Sequence, residues 1–572
     1  MMQMSVYEVV ANVLKGNKVE TVYGLPSDDL QLMNAIEECG IEFLVNKDQR
    51  NAVFMTIGQA LAKRKIGVCV VGKGPAVSNC VTGLLEAHSQ SAPILIIGSG
   101  TRTQIYGNRK AFQEADQISF ISPLVKWCHR LESPSSIEWV LKKAMFLALH
   151  GKPGPVYIEI PEDIGEAYVD VDSSEFSAHS LSAPMPNLES IKVVKDKLMK
   201  SKRPLLLLGG GCKSLVDNHK LNKFANIIGS SVFVTASGRG AYDEEDDLFC
   251  GLAGLYCPQQ LLPIVEEADL VITLGSKLEE TALFGWEDLL KQKEVVQINI
   301  HEEDFNLEFR GMKLVGDIEL AVDYLTSLIQ NPLEKDKWLQ KIAILKQEAL
   351  LEKKGYLQNI KELSVAHVLE GLQLYTPSNA IYVHENGLQD MWSYYFPYLK
   401  LKKGQNAFVP SEQTSLGFGL SAAVGIAKAQ DDRPVVAFVG DGAFNLFRSE
   451  LETVINNRVP VIYVVLKNGG YGWLQFQNKN KKRKNPLSFV NRMFPLVGVE
   501  HPQLKVLSLK KQEDVGTTFK EAYQQYNQGK TVIVECVIQL EDVPTAVREI
   551  YGDFPKKGVE LVESGHSGKN EY

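Results

Sequence analysis

The sequence predicts an α/β protein made of three doubly wound parallel-sheet domains. Short apolar runs alternate with helical patterns along the whole chain, and these runs are apolar on both faces, which is typical of parallel strands covered by helices on both sides. A chain of 572 residues is also too long for one hydrophobic core. The runs fall into three sets: IEFLV, IGVCVV, APILIIGS and GPVYIEIP; RPLLLLGGG, SSVFVTA, ADLVITLG and EVVQINI; NAIYVHENG, PVVAFVGDG, PVIYVVLKN and TVIVECVI.

The joints between the three sets are marked by composition. The segment 171–186 is polar and rich in Pro and Ser, so it is predicted to be a linker. A charged amphipathic pattern over 333–360 predicts a helix that bridges the second and third domains. The predicted domains are therefore 1–170, 187–332 and 361–572, the last ending in a polar tail.

Composition excludes several classes of protein. A net charge of -8 is mild for this length and argues against bulk binding to nucleic acid or membrane. The eight cysteines are scattered without a CxxC pair, so free and mostly buried thiols are expected. The sequence shows neither an apolar run of about 18 residues nor a basic-then-apolar start. A cytoplasmic location is the default expectation.

The strongest motif lies in the third domain, in VVAFVGDGAFNLFRSELETVINNRVPVIYVVLKNGGYGW. Asp441 follows one predicted strand and Asn468 follows the next, so both are expected at the same edge of a parallel sheet, where ligands bind in this architecture. Carboxylate, amide and backbone oxygens suit Mg²⁺ or Ca²⁺, and Mg²⁺ so placed commonly holds a diphosphate. The glycines beside Asp441 let a phosphate approach the backbone and the helix N-terminus.

With further motifs in order, the chain resembles the thiamine diphosphate (ThDP) enzymes of the acetohydroxyacid synthase, pyruvate oxidase and pyruvate decarboxylase superfamily. The resemblance covers nearly the whole chain and is closest to the acetolactate synthase-like enzymes. It implies a pyrimidine-binding, a central and a diphosphate-binding domain, and a homodimer or tetramer with active sites between chains. The motifs are VETVYGLPSDDL, GPAVSN, AFQEAD, GKPGPVYIEIPEDI, ENGLQDMW, TSLGFGLSAA, GDGAF and KNGGYG.

The resemblance also assigns roles to individual residues. It implies that Mg²⁺ is held by Asp441, Asn468 and the Gly470 carbonyl. Leu416 matches the large apolar residue that keeps the cofactor bent, the alternative being an ordinary core leucine. The other residues expected to contact the cofactor are Pro26, Gln49, Gly387, Gln389, Gly440, Gly442 and Ala443.

Gln49 stands where the family has a catalytic Glu, and Asp48 stands where it usually has His. A neutral amide can hold the cofactor's pyrimidine ring by a hydrogen bond, but it cannot exchange a proton as a carboxylate does. Three hypotheses remain open. Catalysis proceeds without that Glu, as in the related glyoxylate carboligases; Asp48 takes the role after a one-residue shift in a strand, which would turn its side chain to the other face; or the chain is an inactivated variant or pseudoenzyme.

Several residues are predicted to shape the substrate site. Phe112 and Gln113 of AFQEAD match active-site residues, unless the Gln is buried for structural reasons, and Asp28 of GLPSDDL is similar to the simple decarboxylases. Lys73 brings a cation toward the site, and Trp473 replaces a residue that is commonly a smaller Met. The run NKNKKRKN is either a solvated loop or the binding surface for an anionic acceptor, and its basic residues are Lys479, Lys481, Lys482, Arg483 and Lys484.

The predicted function is ThDP- and Mg²⁺-dependent decarboxylation of pyruvate or another 2-keto acid, with transfer of the carbanion to a carbonyl acceptor. The alternatives are non-oxidative decarboxylation and a catalytically impaired ThDP-binding pseudoenzyme. In the central domain, LEET replaces the acidic-acidic-arginine pattern of the synthases, so both FAD and an empty structural domain stay open. The departures at positions 48, 49, 73 and 473 favour specialised metabolism over branched-chain amino acid synthesis.

Overall fold

Three six-stranded sheets, each flanked by helices, form the body of the protein. Every strand in them runs parallel to its neighbours, which confirms the predicted class of three doubly wound α/β domains. The architecture comes from a computed structural model that describes residues 2–27, 30–171, 181–215, 217, 219–329, 331–430, 432–480, 496, 498–544 and 547–548, without the side chains of 478–480.

The N-terminal sheet has the strand order β3-β2-β4-β5-β7-β6, and β1 pairs antiparallel with β8 beside it. The strands are β1 (Met2–Ser5), β2 (Thr21–Gly24), β3 (Glu42–Val45), β4 (Gly67–Val71), β5 (Ile94–Gly100), β6 (Trp127–Arg130), β7 (Val156–Pro161) and β8 (Tyr168–Val171). The helices are α1 (Val6–Gly16), α2 (Leu30–Glu38), α3 (Gln49–Lys63), α4 (Pro75–Ser78), α5 (Val81–Ser89), α6 (Gln117–Ile121), α7 (Ile137–Leu149) and α8 (Glu162–Gly165).

The central sheet has the order β11-β10-β9-β12-β13-β14. Its strands are β9 (Pro204–Leu208), β10 (Ser231–Val234), β11 (Phe249–Leu252), β12 (Leu270–Leu274), β13 (Glu294–Asn299) and β14 (Lys313–Val315). Its helices are α9 (Leu188–Lys200), α10 (His219–Ile228), α11 (Leu262–Glu267), α12 (Glu280–Leu283), α13 (Glu287–Lys291) and α14 (Ile318–Leu328). The long helix α15 (Asp336–Asn359) follows and leads to the third domain.

The C-terminal sheet has the order β16-β15-β17-β18-β20-β19, which places β15, β17 and β18 side by side. Its strands are β15 (Ile381–His384), β16 (Asn406–Phe408), β17 (Val435–Gly440), β18 (Ile462–Lys467), β19 (Leu504–Leu509) and β20 (Thr531–Val537). Its helices are α16 (Val365–Tyr375), α17 (Leu388–Tyr394), α18 (Phe418–Ala429), α19 (Asp441–Phe447), α20 (Leu451–Asn456), α21 (Gly472–Asn480) and α22 (Val515–Tyr526).

The N- and C-terminal domains share one hydrophobic core, in which α3 packs directly on α18. Two glycines allow the helix backbones to touch. A Cβ on Gly58 would lie 2.3 Å from the Ala422 carbonyl oxygen, and one on Gly425 would lie 1.9 Å from that of Met55. Real side chains cannot occupy such distances, so these positions require glycine, and the N- and C-terminal domains are held at a fixed spacing.

The cysteines agree with the prediction from their scattered positions. All eight are free, and Cys69, Cys80, Cys212, Cys250 and Cys536 are buried. Burial raises the pKa of each of these five thiols, which makes them unreactive packing residues. Within the described ranges, none of the helices combines the length and the apolar character that a membrane crossing needs.

Candidate cofactor site

Three loops that carry the predicted cofactor residues meet at the carboxyl edge of the C-terminal sheet. β15, β17 and β18 end there in register, and they are followed by Gly387, Asp441 and Asn468 respectively. Because α19 begins at Asp441, its first turn, which includes the buried Gly442 and Ala443, presents backbone N–H groups at this edge. The placement confirms that the β17 and β18 loops lie next to each other.

The loop after β18 is tied to the loop after β17 by hydrogen bonds. The Gly469 N–H donates to Asp441 Oδ2 at 3.1 Å, and the Gly470 N–H donates to Asn468 Oδ1 at 3.0 Å. Asp441 is buried. One carboxylate, one amide and a backbone carbonyl thus lie in adjacent loops, a set of hard oxygen donors that fits Mg²⁺. Across the described part of the chain, no cluster of three or more His, Cys, Asp or Glu residues offers an alternative metal site.

Glycine keeps a cradle open beside these oxygens. Gly387 has a φ of 147°, and a Cβ there would lie 2.4 Å from Gln389 Oε1. A Cβ on Gly440 would lie 3.2 Å from the same atom. Two hydrogen bonds fix the Gln389 side chain, since its Nε2 donates to the carbonyls of Glu385 and Asn386 at 3.1 and 2.8 Å. The amide oxygen therefore faces the two glycines, where the sequence predicts a diphosphate.

Leu416 is half-buried and packs against the core shared by the two outer domains. It precedes Gly417, whose N–H donates to the buried carboxylate of Glu385 at 3.0 Å. Burial raises the pKa of Glu385 to about 7, against the opposing effect of the N–H groups of Gly417, Asn386 and Gly419. The same loop contacts a second buried carboxylate, that of Glu86 in the N-terminal domain.

Gln49 and Asp48 lie at the start of a helix, so the expectation that they belong to a strand was wrong. β3 ends at Val45, and Asp48 is the N-cap of α3, accepting a hydrogen bond of 2.7 Å from the Arg50 N–H. Gln49 is the first residue of α3, with 9% of its surface exposed, and its Oε1 accepts a 3.0 Å hydrogen bond from Asn79 Nδ2. The Asp48 carboxylate caps the helix, and this local interaction determines the structure here rather than the pairing of a strand.

Lys73 lies in the loop after β4, where it forms an ion pair with Glu162. Glu162 also accepts from Arg102 Nε at 3.2 Å. Although burial alone would raise it, the pKa of Glu162 is lowered because Lys73 and Arg102 both bond to the carboxylate. Lys73 thus brings a cation to this edge of the N-terminal sheet, but one already paired with a carboxylate.

The other residues predicted near the substrate differ in their surroundings. Gln113 is exposed with φ 55°, and its carbonyl oxygen approaches Gly74 so closely that a Cβ there would lie only 2.4 Å away. Phe112 is 68% exposed, and Pro26 is also exposed after β2. Trp473 stacks on Phe476 with ring centroids 5.9 Å apart, in an apolar cluster that includes Leu388.

Some predicted residues lie outside the described part of the chain. Asp28 is one of them, and so are Lys481, Lys482, Arg483 and Lys484, together with the polar tail. Lys479 falls within α21, but its side chain is not described.

A buried carboxylate of the C-terminal domain is hydrogen-bonded to the N-terminal domain. Glu450 Oε1 accepts 3.1 Å hydrogen bonds from Asn46 Nδ2 and from the Lys47 N–H, and Oε2 accepts from Asn51 Nδ2 at 3.2 Å. Glu450 lies nine residues after Asp441 in a helical stretch that continues to Asn456, and nine steps span about 15 Å. The turn that leads into Gln49 is therefore bonded to the element that begins at the proposed metal ligand.

The glycine-rich loops of the central domain pack against one another. A Cβ on Gly209 would lie 2.2 Å from the Gly275 carbonyl oxygen, and one on Gly238 would lie 2.3 Å from that of Leu208. Close packing of the β9, β10 and β12 loops thus accounts for these glycines without a ligand. FAD binding and an empty structural domain both stay open.

Comparison with known families agrees with the site geometry. The chain matches the thiamine pyrophosphate enzyme N-terminal TPP binding domain over residues 4–120, the central domain over 191–325 and the C-terminal TPP binding domain over 385–536. These matches follow the three sheets in order. The protein belongs to the thiamine pyrophosphate enzymes, and it is a ThDP-dependent enzyme of the acetolactate synthase-like group.

Its curated relatives include the acetolactate synthase large subunit of Lactococcus lactis, 26% identical over 87% of this chain and 88% of the relative. The probable acetolactate synthase large subunit of Methanococcus aeolicus is 25% identical over 82% of both chains. The chloroplastic acetolactate synthase of Arabidopsis thaliana is 26% identical over 84% of this chain and 73% of the relative.

Sequence reasoning missed four residues that organise the site: Glu86, Asn79, Glu385 and Glu450. Glu385 stood inside the quoted ENGLQDMW motif, directly after a strand, so its position was a usable signal. Glu86 and Glu450 are acidic residues within amphipathic segments, a pattern that normally indicates a solvated helix face. Their burial against another domain could not be read from the sequence.

Proposed function

We propose that the protein decarboxylates pyruvate or another 2-keto acid and joins the resulting fragment to a carbonyl acceptor. The observation that carries this proposal is the adjacent placement of Asp441, Asn468 and the Gly387 loop at one sheet edge, in a chain of this family. A homodimer or tetramer in the cytoplasm is the proposed setting, with active sites shared between chains.

When bound, ThDP supplies the electron sink that 2-keto acid decarboxylation needs. Asp441, Asn468 and the Gly470 carbonyl would hold Mg²⁺, and Gly387, Gln389, Gly440, Gly442 and Ala443 would border the diphosphate. The chain itself supplies orientation and a partly water-excluded site.

Gln49 would hold the pyrimidine ring without exchanging a proton with it. Because Asn79 donates to the Gln49 oxygen, the amide nitrogen is the end left for a ring acceptor. An N–H donor at this point imitates a protonated carboxyl group in geometry, although it cannot give up its proton. This supports catalysis without the usual Glu over a role for Asp48, whose carboxylate caps α3.

The acceptor is proposed to be a carbonyl compound of specialised metabolism, because positions 48, 49, 73 and 473 all depart from the family pattern. An anionic acceptor is one chemical class that fits the basic run at 479–484. This class would be supported if the KM for the acceptor rose steeply with salt and if neutralising these residues removed that rise. A KM that is independent of salt would exclude it.

The deciding experiment incubates the protein with ThDP, Mg²⁺ and a panel of 2-keto acids, alone and with carbonyl acceptors, and follows CO₂ and products by NMR. A new carbon–carbon bond supports the proposal. CO₂ with an aldehyde and no ligated product would instead support the non-oxidative decarboxylase. Bound ThDP without turnover of any substrate would contradict both and favour the pseudoenzyme, which the amide at Gln49 motivates.

A further inference from the structure

The loop that carries Leu416 has an irregular backbone, with internal hydrogen bonds such as the 2.9 Å bond from the Thr414 N–H to the Ser411 carbonyl. Thr414 has a φ of 45° and Gly417 has one of 94°, so left-handed residues lie on either side of Leu416. A non-glycine residue in this region costs free energy and persists only where surrounding contacts impose it. Two carboxylates outside the loop add to its internal bonds.

One holding contact comes from the N-terminal domain. Glu86 on α5 is fully buried, and its Oε1 accepts a hydrogen bond from the Ser411 N–H while its Oε2 accepts one of 3.2 Å from the Ser415 N–H. Gln90 Nε2 donates to the same carboxylate at 2.8 Å, which fixes its orientation. Both oxygens are thus committed to the segment just before Leu416.

The second contact comes from the C-terminal domain. Glu385 follows β15 and is fully buried; its Oε1 accepts from the Gly417 N–H at 3.0 Å and its Oε2 from the Gly419 N–H at 2.9 Å. Its Oε1 also accepts from the Asn386 N–H at 3.1 Å, and its carbonyl accepts from Gln389. This carboxylate therefore bonds to the segment just after Leu416 and to the Gly387 loop.

We propose that Glu86 and Glu385 are positioning residues that hold Leu416 between two domains, so that its side chain meets the bound cofactor at a fixed place. The inference rests on the proposed function, in which Leu416 supports the bent cofactor. Neither carboxylate needs to touch the cofactor. Each acts through the backbone N–H groups on one side of Leu416.

Glu86 and Glu385 contact different sets of loops, and this difference makes the proposal testable. Within the described residues, the Glu86 carboxylate hydrogen-bonds to the Leu416 loop and to Gln90 of its own domain, whereas Glu385 also bonds to the predicted diphosphate loop. Loss of Glu86 should therefore disturb the geometry of the bound cofactor with little change in its affinity. Loss of Glu385 should disturb both. A displacement of about 1 Å at a reacting centre is enough to slow a reaction ~100-fold.

The experiment is a double-mutant cycle on Glu86→Gln and Leu416→Ala. The readouts are the rate of hydrogen–deuterium exchange at C2 of bound ThDP, by NMR, and the Kd for ThDP with Mg²⁺, by fluorescence titration. We expect each single variant to slow exchange ~10- to 100-fold, with Glu86→Gln changing Kd less than ~3-fold. C2 exchange in the double variant should be no slower than in Leu416→Ala alone, because both substitutions remove the same effect.

A matched control is Glu244→Gln, which removes a buried carboxylate paired with Arg239 in the central domain and should leave the exchange rate unchanged. Multiplicative effects in the double variant, or an unchanged exchange rate in Glu86→Gln, would overturn the proposal. The test depends on Glu86→Gln, so it can be completed even if the Glu385→Gln variant fails to fold. Wild-type protein that does not bind ThDP would instead refute the proposed function.

Discussion

Glu450 of the C-terminal domain accepts a 3.1 Å hydrogen bond from the side chain of Asn46 in the N-terminal domain. Both residues are buried, and the bond lies beside the helix start that presents Gln49. The relationship matters because a buried carboxylate is stable only when donors surround it. Asn46, Lys47 and Asn51 supply those donors, so the two domains are joined next to Gln49.

Replacing Glu450 with Ala should lower the free energy of unfolding by about 3 kcal/mol, because the buried side chains of Asn46 and Asn51 and the Lys47 N–H lose a charged acceptor. Chemical denaturation followed by circular dichroism would measure it. Glu452→Ala is the matched control, since Glu452 is in the same segment but its side chain is 73% exposed, in a surface ion pair with Lys47. Glu452→Ala should lower the free energy of unfolding by less than about 1 kcal/mol. Equal losses in the two variants would contradict the buried network.

Gln49→Glu should accelerate C2 exchange of bound ThDP and turnover of the accepted 2-keto acid by at least ~10-fold, because a carboxyl group can exchange a proton with the pyrimidine ring. Exchange followed by NMR and steady-state kinetics would measure this. Asp48→Asn is the companion variant. Asn is an equally good N-cap, so it should leave the rate within about 3-fold. A large loss in Asp48→Asn would instead assign the proton transfer to Asp48.

Asp441→Ala should raise the Kd for ThDP in the presence of Mg²⁺ by ~100-fold or more, since the proposed site has one carboxylate among neutral donors. Calorimetric titration with and without a chelator would measure the dependence on metal. The control is Asp432→Asn, an exposed position before β17, which should leave the Kd unchanged. If neither the chelator nor Asp441→Ala changed the Kd for ThDP, the metal would have to bind elsewhere.

Glu385 should make the stability of the apo protein depend on pH. Burial raises the pKa of this carboxyl from 4.5 to about 7, so between these values the folded chain holds a proton that the unfolded chain releases. Its stabilising contribution is complete below pH 4.5 and is lost as pH rises through 7, a change on the order of 3 kcal/mol. Melting temperatures of wild type and Glu385→Gln, compared from pH 5 to 8, should therefore diverge through this window and run parallel above it. Parallel curves throughout would contradict the raised pKa.

Much of the C-terminal half-site could be predicted from sequence because local patterns determine it. A strand that ends in Gly440-Asp441-Gly442 and another that ends in Asn468 need only a parallel sheet to bring them to one edge. The motif singled out Gln49 as a candidate, but it did not predict that Gln49 lies on a helix. The apolar residues before it favoured a strand, whereas the Asp48 cap and the packing of α3 on α18 place it on a helix.

The sequence by itself determined the three-domain class and the residues that follow the strands at the carboxyl edge of the C-terminal sheet, and it predicts an amide, Gln49, in place of the family's carboxylate. These follow from periodicity, turn chemistry and motif order, which are local properties. The tertiary structure alone decided that Glu86, Glu385 and Glu450 are buried anchors, because a carboxylate becomes an anchor only when N–H donors from distant segments surround it. The donors to Glu450 lie about 400 residues away along the chain, and no pattern within the chain specifies such a meeting.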